Sequence, residues 1–210
     1  YAGQKDRRAR VTQTFSLVHR GDESELAARV SGELGLEVQD CRRHANKLRR
    51  GHLLGNRFEV VIADAVPGSL ERARVIVAAL EQTGLPNFYG PQRFGSENRN
   101  AERGRRRIGG EDLGRARSWI ARLELSAWQS EIFNRWLCER IERGDFERLL
   151  PGDVAKKTDT GGLFDVEDVA LEAPRLARRE ITYTGPIYGA SLRWASGAAG
   201  TIERELLARA

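Results

Sequence analysis

The run LPNFYGPQRFG, residues 85 to 95, is the feature that most restricts how this chain can fold. Gly90 and Gly95 permit a sharp turn or a close backbone approach, so the run predicts a loop. It also holds three aromatic side chains beside Asn87, Gln92 and Arg93. Aromatic rings next to amides and an arginine can stack on a nucleobase and hydrogen-bond its edge. The alternative is a core-packing turn in which the two phenylalanines are simply buried.

Before this loop, the hydrophobic pattern alternates between strand and helix. Residues Val11–Val18 alternate in polarity and predict a half-buried strand, and the apolar run Arg57–Ala63 predicts another. Residues Asp22–Leu34 have helical periodicity and stop at Gly35, and a second helix is predicted from Ser69 to Thr83.

After residue 110 the pattern becomes mainly helical. It predicts helices over Leu113–Leu123 and Ser126–Arg143, the latter started by a capping box of Ser126 and Gln129. A stripe of large apolar side chains on this helix favours a core face over a base-binding platform. Its members are Trp128, Ile132, Phe133, Trp136, Leu137 and Ile141. Further predictions are turns at 151–153 and 159–162, a helix from Asp165, a strand over Glu180–Tyr183 and a helix over Ala198–Ala208.

Composition limits the possible classes of protein. The 210 residues, 40% of them hydrophobic, suit one large or two small packed domains, and no apolar run is long enough to cross a membrane. Two distant cysteines and three scattered histidines predict neither a disulfide framework nor a metal site, which favours a reducing, cytoplasmic setting. Because the chain lacks Met and opens five residues before Asp6, we expect the native N-terminus to lie upstream.

The net charge of +5 is unevenly distributed. One basic cluster covers residues 42–50 and a second covers residues 99–107. Such clusters attract phosphate backbones, although each can equally be a solvated surface. The glycines at 104, 109 and 110 predict that the second cluster belongs to a mobile loop.

Four stretches, in order along the chain, strongly resemble the signatures of the TruD family of tRNA pseudouridine synthases. Residues 3–13 resemble G-x-K-D-x-x-A-x-T-x-Q, with Val11-Thr12-Gln13 in place of the spaced Thr and Gln. Residues 43–58 resemble R-H-x-x-K-L-R-x-G-x-L-x-G-N-x-F, and residues 126–134 resemble S-A-x-x-S-x-x-F-N. Residues 87–95 resemble N-Y-F-G-x-Q-R-F-G with its two aromatics exchanged. Residues 184–189 are a weaker match.

The resemblance implies an α+β fold in two parts. Residues 1–112 would form part of a pseudouridine synthase catalytic domain with a mixed, mainly antiparallel sheet. Residues 113–210 would form part of a TruD-type α/β insertion domain. The chain would then be an interior portion of a longer protein.

The resemblance also implies an activity and its residues. The substrate would be tRNA, with the uridine at position 13 isomerised to pseudouridine and no metal or redox cofactor required. Asp6 would be the catalytic carboxylate, and Lys5 would either keep it ionised or hold phosphate. Asn87 and Tyr89 take the positions of the family's active-site Asn and Phe, and Tyr89 adds a hydroxyl group.

The remaining candidates concern the RNA backbone and the loop. Gln92 and Arg93 are assigned to the substrate-binding site, where they would either brace the loop or contact phosphate. The candidates for contact with the RNA backbone are Arg43, His44, Lys47 and Arg49.

Two other functions fit the residues. The basic clusters and the aromatic loop could hold structured RNA without turnover. A hydrolase of nucleosides or glycans could use Asp6 with Asp40 or Glu59 as acid and base. Analysis of the product separates the three hypotheses: an isomerised uridine, intact bound RNA, or a released base or sugar.

Overall fold

The computed structural model describes residues 1–3, 5, 9–53, 55–114 and 118–210. Their contacts divide the chain into two compact units, Tyr1–Val66 and Pro67–Ala210. Within these described residues, no helix combines the length and the hydropathy that crossing a membrane would require.

The first unit contains the predicted helix, α1, at Glu23–Leu34. The Asp22 carboxylate caps its N-terminus by accepting hydrogen bonds from the backbone N–H groups of Ser24 at 2.8 Å and Glu25 at 3.1 Å. These hydrogen bonds lower the pKa of Asp22, and the bond from Glu25 has the larger effect. Gly35 ends the helix in the left-handed conformation, at φ 62°. The local signals in the sequence therefore predicted this helix correctly.

The prediction of two strands in the first unit is wrong. Val11–Val18 and Arg57–Ala63 are irregular, and the described part of this unit contains no strand. Their apolar side chains are exposed, with Val18 at 94% and Val61 at 86%. A strand needs a neighbouring strand to satisfy its backbone N–H and C=O groups, and neither segment has one among the described residues. Periodicity alone cannot supply that partner.

The second unit begins with the predicted helix, α2, at Ser69–Thr83. The aromatic loop that follows contains one helical turn, α3 at Pro91–Phe94, and a 3₁₀ turn at Ser96–Asn98. Gly95 between them has φ 72° and ψ −171°, a conformation that only glycine adopts readily.

The next two helices, α4 and α5, differ from the predictions made from the sequence. The second basic cluster lies on a regular helix, α4 at Arg99–Ile108, and not on a loop. The two helices predicted on either side of residue 125 are one continuous helix, α5 at Ser118–Glu142. Ser126 does not cap a new helix, because its hydroxyl donates to the carbonyl of Leu123 at 3.0 Å within α5.

A small antiparallel sheet follows α5. Strands β1 (Val154–Lys157), β2 (Leu163–Asp165) and β3 (Ile181–Tyr183) are ordered β2-β1-β3. Ala155 of β1 pairs with Phe164 on one side and Tyr183 on the other. The predicted strand at the position of β3 is confirmed, whereas β1 and β2 were not predicted.

Two further helices pack with the sheet. Helix α6 at Val169–Ala177 starts after its N-cap, Asp168, and not at Asp165, which belongs to β2. Helix α7 at Gly197–Ala208 confirms the last predicted helix. The α+β fold class is therefore confirmed.

The core of the second unit is built on α5. Trp128, Ile132, Trp136 and Leu137 are buried and Phe133 is partly buried, as the apolar stripe predicted, but Ile141 is exposed. They share one cluster with Phe94 from the aromatic loop, with α4 and with α7. The predicted domain boundary near residue 112 falls between α4 and α5, and the assignment to two domains stays a prediction.

Buried charges connect α5 to the sheet, and α7 to the segment that precedes it. The Arg140 guanidinium, wholly buried, donates to both carboxylate oxygens of Asp153, at 3.0 and 3.2 Å, and lies over the Tyr183 ring. Burial raises the pKa of Asp153 although Arg140 opposes the rise. On α7, burial likewise raises the pKa of Glu203, whose carboxylate accepts from the backbone N–H of Ala195 at 2.9 Å.

Candidate active site

The backbone of Tyr89, in the aromatic loop, is held by one side chain of α5. The amide oxygen of Asn134 accepts from the N–H of Tyr89 at 2.9 Å. The amide nitrogen of Asn134 donates to the C=O of Tyr89, also at 2.9 Å. One side-chain amide therefore satisfies both backbone groups of the residue.

Arg93 is tied to the same face of α5. Its Nε donates to the Ser130 hydroxyl at 3.0 Å, and a terminal nitrogen donates to the Ser126 carbonyl at 3.4 Å. Its guanidinium group also lies over the Tyr89 ring, 5.5 Å from the centroid. These contacts agree with the bracing interpretation of Arg93. Its role in substrate binding stays a prediction.

The other side chains of the loop divide into buried and exposed groups. Phe94 is buried, as the core-packing alternative proposed, but Phe88 and Tyr89 are 40% and 37% exposed. The Tyr89 ring meets Phe133 edge-on, with centroids 5.5 Å apart. Asn87 is exposed, as is Gln92. The loop therefore offers two aromatic rings and two amides to solvent.

The residues of α5 that support the loop were not predicted for that role. Ser126, Ser130 and Asn134 follow each other at intervals of four residues, which places them on one side of a helix. This polar row, which runs beside the apolar stripe of the helix, was the available signal. All three residues also belong to the motif-like stretch 126–134, but the helix was assigned only a role in the core.

In the first unit, the predicted catalytic Asp6 lies outside the described residues. Lys5 is described, and its ammonium group donates to the amide oxygen of Asn56 at 2.6 Å. The backbone N–H of Gly51 also donates to the carbonyl of Ala2 at 2.7 Å. Two of the sequence motifs, residues 3–13 and 43–58, are therefore in contact.

The first basic cluster borders a groove of about 890 Å³ in the first unit, lined by residues 14–19 and 41–48 among others. Arg43 is committed to local bonds, with Nε 2.7 Å from a Glu23 carboxylate oxygen and a terminal nitrogen 2.6 Å from the Gly21 carbonyl. The His44 ring accepts from the backbone N–H of Asn46 at 3.0 Å.

The other two candidates of this cluster, Lys47 and Arg49, differ from Arg43 in their ion pairing. Lys47 and Arg49 are exposed, and among the described residues neither has a carboxylate within ion-pair distance. Lys47 also lines the groove. These two side chains are the better placed of the cluster to meet a phosphate.

The second basic cluster is neutralised by neighbouring carboxylates. Arg103 and Arg107 of α4 both pair with Glu124, a buried residue of α5. Burial acts to raise the pKa of Glu124, but the hydrogen bonds from these two arginines outweigh it and the pKa is lowered. The remaining arginines pair with exposed carboxylates that are close in sequence: Arg99 with Glu97, Arg105 with Glu102 and Arg106 with Glu111. Two arginines of this cluster therefore fasten α4 to α5, and the charges of the other three are paired locally.

Among the residues that the structure describes, no group of three or more His, Cys, Asp or Glu side chains could hold a metal ion. The described cysteines, Cys41 and Cys138, are free and exposed.

The fold is similar to that of a solved structure, a crystal structure described as that of a tRNA pseudouridine synthase D (TruD) from Methanosarcina mazei. The TM-score is 0.54 at 20% sequence identity, covering 90% of this chain and 60% of that one. This similarity concerns the fold alone.

Sequence comparison gives the family. Residues 1–108 and 111–210 match the family model described as tRNA pseudouridine synthase D (TruD). The tRNA pseudouridine synthase D of Anaeromyxobacter dehalogenans (strain 2CP-C) is 48% identical over 98% of this chain and 59% of its own length. A tRNA pseudouridine synthase D of Thermus thermophilus is 40% identical over 99% of this chain and 57% of its own length. The chain belongs to the TruD family and spans less than two thirds of the length of these relatives.

Proposed function

We propose that this protein is a tRNA pseudouridine synthase that converts one uridine, at position 13, into pseudouridine. Membership of the family supports the class of reaction. The structural observation that carries the proposal is the aromatic loop, which exposes Asn87 and Tyr89 while α5 fixes its backbone. An exposed ring and amide on a fixed backbone suit the recognition of an unstacked base.

The reaction is an isomerisation, so no atom is gained or lost overall. The N-glycosidic bond breaks, the base rotates, and the sugar carbon bonds to a ring carbon of the base. That ring carbon loses its proton, and the freed ring nitrogen gains one. We assign to Asp6 the attack on the sugar, or the stabilisation of the positive charge that develops there.

The target uridine must leave its stack to be reached. In this proposal the Tyr89 ring packs against the extruded base and the Asn87 amide hydrogen-bonds its edge. Lys47 and Arg49 contribute to holding the RNA backbone, because their charges are exposed and free of carboxylate partners among the described residues. A cytoplasmic setting suits both the tRNA substrate and the free cysteines.

The proposal is tested by measuring pseudouridine in unmodified tRNA, through chemical labelling and primer extension. The full-length protein is compared with its Asp6→Ala variant. We expect a new stop at one uridine with the parent protein and none with the variant, whose affinity for tRNA changes by less than about threefold. The bonds of a carboxylate to the reacting sugar matter in the transition state more than in binding.

The other outcomes are informative. Turnover by the Asp6→Ala variant would remove Asp6 from the chemistry. A stop with neither protein, despite tight binding of tRNA, would favour the non-catalytic RNA-binding module. Release of a free base or sugar would favour the hydrolase.

A further inference from the structure

Asn134 makes an unusually complete contact with the loop. Its amide group is flat and offers one acceptor and one donor on the same side, and both are used on the backbone of Tyr89 at 2.9 Å. Because the N–H and the C=O of one residue are both fixed, the orientation of that residue relative to α5 is fixed as well.

The Tyr89 side chain is held from the same helix. Its ring meets Phe133, the residue before Asn134, edge-on. The Arg93 guanidinium group lies over the same ring, and Ser130 accepts a hydrogen bond from it. Backbone and ring of Tyr89 are therefore both positioned by one surface of α5.

That surface is rigidly supported. Helix α5 has 25 residues, and the side chains around Asn134 that point inwards, Ile132, Trp136 and Leu137, are buried. Ser130 is buried too. A loop that is hydrogen-bonded to such a helix keeps one conformation, whereas a loop without contacts to the rest of the protein samples many conformations.

We infer that Asn134 is a positioning residue of the active site, which sets the place of the Tyr89 ring against the substrate uridine and does not itself touch the substrate. The inference rests on the proposed function. A misplacement of about 1 Å at a reacting centre can lower the rate by about 100-fold. Loss of the Asn134 contact is therefore expected to lower kcat by about 10- to 100-fold while KM for tRNA changes less than about threefold.

The experiment compares three variants of the full-length protein in single-site pseudouridylation kinetics on tRNA. Asn134→Ala removes both hydrogen bonds. Asn134→Asp keeps an acceptor for the Tyr89 N–H but places a second oxygen against the Tyr89 carbonyl, so it is expected to behave like Ala. Asn134→Gln keeps both groups one methylene further out, and we expect it to recover part of the lost kcat.

The matched control is Cys138→Ala. Cys138 is exposed and lies one turn further along α5, beside Asn134 in the same surface groove. We expect its kcat to stay within about twofold of the parent value. Hydrogen exchange adds a second readout, because the peptide covering residues 85–95 should exchange faster in Asn134→Ala while peptides from α5 do not.

The results separate positioning from a general loss of structure. A kcat of Asn134→Ala within about twofold of the parent overturns the inference. So does a drop in kcat that accompanies faster exchange throughout α5, because that pattern signals unfolding. If the parent protein itself makes no pseudouridine, the proposed function fails, and the positioning role falls with it.

Discussion

Replacement of Gly104 by Ala tests the packing that fixes α4 to α5. Gly104 is buried, and a Cβ atom there would lie 2.8 Å from the carbonyl carbon of Glu124 and 2.9 Å from the Cβ of Trp128. The carbonyl oxygen of Glu124 would be nearer still. These atoms belong to the backbone or to the first carbon of a side chain, so they cannot swing away from the clash.

The size of the effect follows from two opposing contributions. Alanine favours a helix over glycine by about 1 kcal/mol. Carbon atoms pack at about 3.5–4.0 Å, so α4 would have to move by roughly 1 Å. Overpacking of this kind costs about 1–3 kcal/mol, and a rigid backbone neighbour points to the upper end. Movement of α4 also strains the pairing of Arg103 and Arg107 with the buried Glu124.

We therefore expect Gly104→Ala to reduce the free energy of unfolding by about 2 kcal/mol. For a chain of 210 residues this corresponds to a fall in Tm of about 4–8 °C, measured by circular dichroism. The control is Gly32→Ala in α1, where, outside the neighbouring helix backbone, no atom of the described residues lies within 4 Å of the added Cβ and stability should rise slightly. A Gly104→Ala protein as stable as the parent would refute the close approach of the two helices.

Two further predictions concern pH and salt. Because burial raises the folded-state pKa of Glu203 above its usual value of 4.5, its stabilising contribution is complete below that value and is lost as pH rises through the folded pKa. Glu203→Gln keeps an acceptor for Ala195, so we expect a higher Tm than the parent at pH 7.5 and no difference near pH 4; a gap independent of pH would contradict this. Changing Lys47 and Arg49 together to Ala should weaken tRNA binding and reduce the slope of log K against log salt by about 0.7–0.9 for each lost phosphate contact. With Arg105→Ala, a paired arginine of α4, as control, an unaltered slope in the double variant would remove Lys47 and Arg49 from the RNA interface.

The sequence by itself determined the elements whose signals are local. The N-cap Asp22 and the glycine at 35 bound α1, and periodicity bounds α2 and α7, because capping and amphipathic spacing act within a few residues. The apolar stripe of α5 likewise predicted the core. The ordered motifs predicted the family, because their residue types and spacing are legible without any structure.

Only the tertiary structure decided which distant residues meet. The strand-like segments of the first unit lack a partner strand among the described residues. The row Ser126, Ser130 and Asn134 acquires its role only because the loop, some forty residues earlier in the chain, packs on α5. The tertiary structure also decided that Glu124 of α5 forms ion pairs with two arginines of α4, which hold the two helices together. Hydrogen bonds and ion pairs of this kind depend on distances in space, and a one-dimensional pattern encodes only spacing along the chain.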